Sequence, residues 1–582
     1  HHVVLSVDEG GGAGGKTRVT IFLDGVLRGS FDTAYRLRDI GSGDFWLGRS
    51  HHGDETANAS YDEVRIHDRV YPAAEIAQSF RRGPVRAGPP ATVLIGRPVG
   101  MRDTVRGLDV RFPMRAIGLD GSGRQYPIVG AKWASSNSSV ATVDSNGIVR
   151  TIAAGRSEFT ATVGNLAVKW VADIVRLRRL AVDPYLATPT AGALWEVPVI
   201  LIEYLPTADG STIDTLKNPD FYRANPITLD SAEKRILTFA RRRKMGVEQG
   251  SRYRGYKDAA ALSSIGYRVV EHVIVYDLTP PSSVRDRRIP GSPAFPDWFK
   301  IFAELQLETV MRSKTVREIW LAESGFDGNY PSYQKAIHDT ANFRTNAESN
   351  MSSPLTGDIS NSFRVPDDMP LLAHTYIAYG INYRRTQAEA LHNVGHQLEA
   401  TLSYVATRQT GDDRLFWRDF VGVNALDQFT VGRAGWTHMP PNTIGNYDYL
   451  NRTLVLSDIE DWKPDNSGAK KLVNVDTWGT LQYPWPGEAE FDQRIESQWY
   501  TYWWQNFPGR GNRIPYLSSW MTNWWAFVGN WDAAITSGLG LYSGTQAAVK
   551  GANVPFIFAA PPASTMQTET RRPAQPSGIK PP

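Results

Sequence analysis

Hydrophobic spacing divides the chain near residue 177. Before it, apolar residues recur at every second position in short runs, as in Thr17-Arg-Val-Thr-Ile-Phe-Leu23 and Val26-Leu-Arg-Gly29, which flank Asp24-Gly25. That pair accepts positive φ cheaply and predicts a tight hairpin. His1 to Asp8, Phe45-Trp-Leu-Gly48 and Tyr61 to His67 read as further strands, closed by Pro72-Ala-Ala-Glu-Ile-Ala77. A Gly/Pro/Arg linker at 84–90 leads to a second strand-rich stretch, 91–175. Beyond Leu177 the runs lengthen. Glu196 to Tyr204 and Gly266 to Asp277 predict buried strands, Pro296 to Met311 one continuous helix opened by Pro and Asp, and Val316 to Ala322 and His374 to Gly380 two more strands. Strand, helix and strand in alternation predict an α/β core with parallel pairing, whose ligands sit beyond the carboxyl ends of the strands. Glu323, Asp327 and Asn382 are expected there.

The next segment carries the chemistry. In Ala388-Glu-Ala-Leu-His-Asn-Val-Gly-His-Gln-Leu-Glu-Ala400, residues Glu389, His392, His396 and Glu399 follow at spacings of three, four and three. At about 100° per residue they share a stripe roughly 80° wide, opposite Leu391, Val394, Leu398, Leu402 and Val405. One face is expected to pack and the other to be exposed and turned into a cleft. Imidazole and carboxylate suit zinc, iron or manganese, and an i, i+4 histidine pair can reach one ion. The alternative is a solvated polar face holding two histidines. The zincin HExxH pattern is absent, because Asn393 follows His392. A third histidine stands in Trp436-Thr-His-Met-Pro-Pro-Asn442, where Pro440 and Pro441 stiffen the backbone. His438 is read as a ligand or catalytic imidazole, or as a histidine that caps or packs the tryptophan-rich region. Asp448 is read as a ligand, a base or a helix cap.

Composition is that of a globular protein: 582 residues, 41% hydrophobic, 21% charged and a net charge of +3. Such a length suggests several domains, and so small a charge implies no nucleic-acid partner. The absence of cysteine excludes disulfides, thiolate metal sites and iron–sulfur clusters. No apolar run reaches the roughly 18 residues of a transmembrane helix. Neither a GxSxG elbow nor a phosphate-binding loop occurs, so a serine hydrolase of that type and a nucleotide cofactor are not expected. Twelve of the 18 tryptophans lie between 417 and 531, most of them read as core and a few as the wall of a sugar-binding cleft. The chain opens on His1 and not on Met, so it is read as processed or as part of a longer product.

Three resemblances add to this reading. The order strand, Asp-Gly hairpin, Trp46-Leu-Gly-Arg49 and Asp62-Glu-Val-Arg-Ile66 resembles the later half of a laminin-G/concanavalin-like jelly roll. Such domains often bind glycans, and half of one implies exposed apolar residues such as Val4, Ile21, Leu23 and Trp46, with upstream sequence, the C-terminal domain or another chain completing it. Trp133-Ala-Ser-Ser-Asn-Ser-Ser-Val-Ala-Thr-Val-Asp144 with Gly147-Ile-Val149 resembles a bacterial Ig-like group 2 domain, usually a spacer on surface proteins. From about 195 to 530, motifs that include Ser251-Arg-Tyr-Arg-Gly-Tyr256, Asn446-Tyr-Asp-Tyr449 and Asn523-Trp-Trp-Ala-Phe-Val528 resemble a family of large secreted bacterial proteins without an assigned activity. This last resemblance implies a polar site at Glu389, His396, Glu399, His438, Asn442 and Asp448. Asn446 and Pro331 stand where the family has acidic residues, and His392 is peculiar to this chain.

The expected architecture is therefore multidomain: a partial all-β jelly roll (1–83), an Ig-like β-sandwich (90–176), a large α/β or α+β domain (177–560) and a Pro-rich tail (561–582). The leading reading is an exported, extracytoplasmic surface protein with a metal-dependent hydrolase-like domain acting on an extracellular polymer, glycan ahead of peptide. One divalent ion, zinc or similar or calcium, would be held by His392, His396, Glu399 and His438. Glu389 or Asp448 would serve as general base. Glu323, Asp327, Asn442 and Trp436 would line the substrate site. The rival reading is a non-catalytic adhesion, matrix or filament protein that binds glycans or self-assembles.

Overall fold

The computed structural model describes residues 1–37, 64, 66–82, 88–98, 101–214, 227–285, 294–323, 347–350, 356–358, 369–370, 372, 374–382, 387–423, 432–443, 445, 447–481, 483, 485–486 and 494–543. The chain packs as two compact units, 1–94 with 116–129, and 95–115 with 130–582.

In the first unit, Val3–Asp8, Thr17–Leu23 and Val26–Thr33 form an antiparallel three-stranded sheet. Asp24 and Gly25 turn between the last two with φ of 53° and 75°, the left-handed pair that such a hairpin requires. The helix Ala73–Arg82 closes on this turn, so that a Cβ at Gly25 would lie 3.0 Å from the Cα of Ala77. Phe22 and Ile76 are buried, whereas Val3, Leu5, Ile21 and Phe31 stay exposed. Val4 and Leu23 are half-buried. The strand expected at 45–48 lies outside the described residues, as does most of the one at 61–67 and the tail from 561. A second sheet joins Thr92–Gly96, Arg115–Leu119 and Gln125–Ile128.

The other unit begins with two small sheets. One orders Thr104–Arg106, Leu166–Val175, Gly155–Val163 and Lys132–Ser135; the other orders Ala141–Val143, Ile148–Thr151 and Arg111–Pro113. Alternation along Leu166–Val175 sends Trp170, Ala172 and Ile174 into one core, which Phe112 and Val149 of the other sheet share. Gly147, at φ 79°, makes the turn possible: a Cβ there would meet the carbonyl of Met114 at 2.5 Å.

A seven-stranded mixed sheet organises the rest, in the order Leu177–Leu180, Ile265–Val275, Trp195–Tyr204, Glu318–Glu323, Ile377–Asn382, Ala347–Asn350 and Thr356–Asp358. The four from Ile265–Val275 to Ile377–Asn382 run parallel. Their near-continuous burial is what a sheet covered on both faces demands. Leu229–Gly250 and Gln387–Thr410 cover one face. The other is covered by Trp298–Leu305 and Leu307–Ser313. Those two were expected as one helix. The Asp297 side chain caps the start by accepting from the Lys300 N–H at 2.9 Å, but Gln306 adopts φ 53° and breaks the run. At the carboxyl edge Glu323 pairs with Asn382 across adjacent strands, and Asp327 lies outside the described residues.

A convergent three-imidazole site

The helix Gln387–Thr410 follows directly on the sheet and carries two of the three imidazoles. Its apolar stripe packs as expected, with Leu391, Val394, Leu398, Leu402 and Val405 all buried. The polar stripe was expected to be exposed, and it is not: His392 is 8% exposed, His396 4% and Glu399 4%. The reason is a second layer over it. The turn at 436–439, Tyr447 to Tyr449 and the helix Arg494–Gln505 all contact its side chains. Glu389 lies in the first turn of the helix, and its side chain is outside the described residues.

His438 is presented by a tight turn in which Trp436 and Met439 exchange both backbone hydrogen bonds. Gly435 permits it at φ 75°, since a Cβ there would lie 2.5 Å from the Met439 carbonyl. The result is a cluster of three ring nitrogens. Nε2 of His396 lies 2.8 Å from Nε2 of His392 and 3.0 Å from Nε2 of His438, and His438 lies 3.2 Å from His392. Among the described residues these three histidines form the one group of potential metal ligands whose donor atoms all lie within 4.8 Å of one another.

Their neighbours determine where the protons sit. Glu399 Oε2 accepts from Nδ1 of His396 at 2.8 Å, while its Oε1 accepts from the Thr437 N–H at 2.9 Å. Glu399 therefore stands behind His396 and not beside the three Nε2 atoms, which corrects its assignment as a ligand. His392 Nδ1 lies 2.9 Å from Tyr500 Oη, whose own proton goes to Glu496 at 3.0 Å. With its proton on Glu496, the phenol oxygen can accept from His392. With the proton on Nδ1 of each helix histidine, the two Nε2 lone pairs would stand face to face at 2.8 Å. Burial, with His396 adding to it, holds the His438 imidazole neutral, far below the ordinary histidine value. Lone pairs at this separation repel unless a cation lies between them. Three nitrogens at about 2.0–2.1 Å from a tetrahedral ion would stand roughly 3.4 Å apart, a few tenths beyond the observed distances. The donor set fits a small divalent ion.

The remaining candidates are placed differently. Asp448 accepts from Asn451 Nδ2 at 2.7 Å and from Thr443 at 3.4 Å, which ties its carboxylate into the following turn and away from a base's position. Asn442 donates to the carbonyls of Asn451 and Thr453 and pins the same loop. Trp436 is buried with its ring 4.8 Å from His438, so it walls the imidazoles and offers no sugar platform. Seven of the twelve tryptophans between 417 and 531, namely 462, 478, 499, 503, 504, 524 and 525, are fully buried, whereas Trp520 is exposed. The sequence reading did not single out Tyr447, Tyr500, Thr437 or Glu496. Tyr500 and Glu496 sit one helical turn apart, a spacing hidden within a run of aromatic residues.

Comparison with known proteins bears on the first unit. Residues 1–77 match a laminin-G-type model described as the concanavalin A-like lectin/glucanases superfamily. No curated protein matches the chain. Among solved structures, that of the S-layer protein rSbsC(31-844) is similar over 19% of this chain and 18% of that one, at 11% identity and a TM-score of 0.14, too loose to define a shared fold. Among the described residues no helix is long and apolar enough to cross a membrane. The chain is thus a multidomain, β-rich protein with several helices, whose N-terminal region is similar to concanavalin A-like jelly rolls.

Proposed function

We propose that the large α/β domain is a metal-dependent hydrolase whose divalent ion is held by His392, His396 and His438. The observation that carries this reading is the convergence of three Nε2 atoms within 3.2 Å, two of them on rings whose Nδ1 atoms contact Glu399 and Tyr500. Three neutral imidazoles leave the charge of a divalent ion uncompensated, and such an ion supplies a Lewis acid that lowers the pKa of bound water towards 7. The chain's own part is orientation. Glu399 fixes the ring of His396, Tyr500 fixes that of His392, and the 436–439 turn presents His438 to both.

The N-terminal similarity to the concanavalin A-like lectin/glucanases superfamily supports an extracellular polymer as substrate, glycan ahead of peptide. The same match, with the Ig-like reading of 90–176 as a spacer, supports an exported surface protein. The buried tryptophans lend no weight to glycan binding. Metal analysis of the purified native protein tests the proposal. About one equivalent of zinc or a similar ion is expected, lost in His396→Ala and in His438→Ala. Metal-free protein that takes up no ion on titration would refute it.

A further inference from the structure

We propose that Tyr447 is the fourth donor of this centre, binding the ion as a phenolate, an inference that rests on the cation reading above. The Tyr447 Oη lies 3.3 Å from Nε2 of His438, close to the separations among the three nitrogens themselves. Its ring stands 4.5 Å from that of His438 and stacks on His392 at 6.0 Å with an interplanar angle of 23°. The backbone is arranged to keep it there. Tyr447 adopts φ 64°, a conformation that a bulky side chain rarely occupies, and its N–H donates to the His438 carbonyl at 2.8 Å.

Charge supplies the physical reason. A divalent ion among three neutral rings would be buried with its charge unmatched, which is costly unless an anion joins the shell. Both oxygens of Glu399 are engaged by His396 and Thr437, and the Asp448 carboxylate is held by Asn451 and Thr443. Among the described residues Tyr447 brings an ionisable oxygen to 3.3 Å from a site nitrogen. It is also half-buried, whereas His392, His396, His438, Tyr500 and Trp436 are buried. As the oxygen–metal bond forms, the phenol O–H breaks and its proton leaves to solvent along this more open side. The centre is then closed at rest, and a substrate oxygen enters by displacing Tyr447.

Copper(II) loading of the full chain tests the assignment, counting the copper bound in excess of a His392→Ala/His396→Ala variant. With no cysteine present, a visible charge-transfer band cannot come from a thiolate. One copper per chain is expected in wild type and in Tyr447→Phe. A phenolate-to-copper band should appear in wild type, vanish in Tyr447→Phe, and persist in Tyr449→Phe and Tyr500→Phe. Copper-loaded wild type without the band, or a band that survives Tyr447→Phe, overturns the phenolate ligand and leaves the three-imidazole centre standing. Wild type that binds no more copper than the double histidine variant overturns the cation reading, and this inference with it.

Discussion

Gly395 and Thr437 are in contact without space for a methyl group: a Cβ at position 395 would lie 2.3 Å from Thr437 Oγ1 and 2.9 Å from its Cγ2. The glycine between the two helix histidines is what lets the His438 turn approach the helix. Gly395→Ala should gain up to about 1 kcal/mol of helix propensity yet push the turn outward. Metal affinity is expected to fall at least tenfold, as isothermal titration would measure. Gly395→Ala/Thr437→Ala removes Oγ1 and Cγ2 and should recover most of the loss; no recovery would mean that steric contact is not the cause.

Glu399 and Tyr500 direct the two helix imidazoles through their Nδ1 atoms. Second-layer groups of this kind typically change metal affinity by about 10–100-fold. Glu399→Ala should fall in that range. Tyr500→Phe should cost less, since a neutral oxygen is removed instead of a carboxylate. Equal metal affinity in wild type and Glu399→Ala would show that Glu399 plays no part in orienting His396.

Beneath the site helix, Arg243 donates to the Ala390 carbonyl at 2.6 Å and to Glu318 at 3.4 Å, with its guanidinium 3.8 Å from the Tyr379 ring centre. Glu318 also accepts from Tyr267 and Trp320, and burial pushes its carboxyl up. Arg243→Ala leaves that carboxylate without a counter-charge in the core and is expected to destabilise the protein by roughly 3–5 kcal/mol. Urea unfolding of Arg243→Met/Glu318→Leu should show a smaller loss than either single change. A double variant less stable than both singles would contradict this account.

Glu203 is fully buried, 2.6 Å from His272 Nε2, and burial pushes its carboxyl from 4.5 up to about 7 against the lowering effect of that hydrogen bond. A value raised on folding means that the folded protein binds the extra proton between about pH 4.5 and 7. The corresponding stability is complete below 4.5 and lost as pH rises through 7. Denaturant midpoints should decline over that window in wild type, and Glu203→Gln should flatten the decline. An unchanged pH profile in Glu203→Gln would assign it to other groups.

The site helix was legible because four polar residues at helical spacing opposite five apolar ones leave little choice of secondary structure. His438 was legible from the stiff Pro440-Pro441 that follows it. The division of labour between ligand and support was not. Spacing places Glu399 on the same stripe as His396, but only the fold turns its oxygens to Nδ1 and to Thr437. Nor does one apolar stripe reveal that the polar stripe is covered too, because that cover comes from a helix a hundred residues later in the chain, as the His392–Tyr500 contact shows. The break at Gln306 escaped for a related reason: the apolar rhythm continues through it, and the left-handed residue carries no glycine to announce it.

The last described segment closes on the first strands of the sheet. A Cβ at Gly529 would lie 2.5 Å from the indole of Trp195, and Arg510 donates to the carbonyl of Gly192, 318 positions earlier. During synthesis, therefore, these contacts cannot form, nor Tyr500 reach His392, until most of the domain has been made. A fold so dependent on distant partners forms slowly. The nascent chain would have to be kept from aggregating until then, and an ion held as proposed would meet its oriented imidazoles only after that final closure.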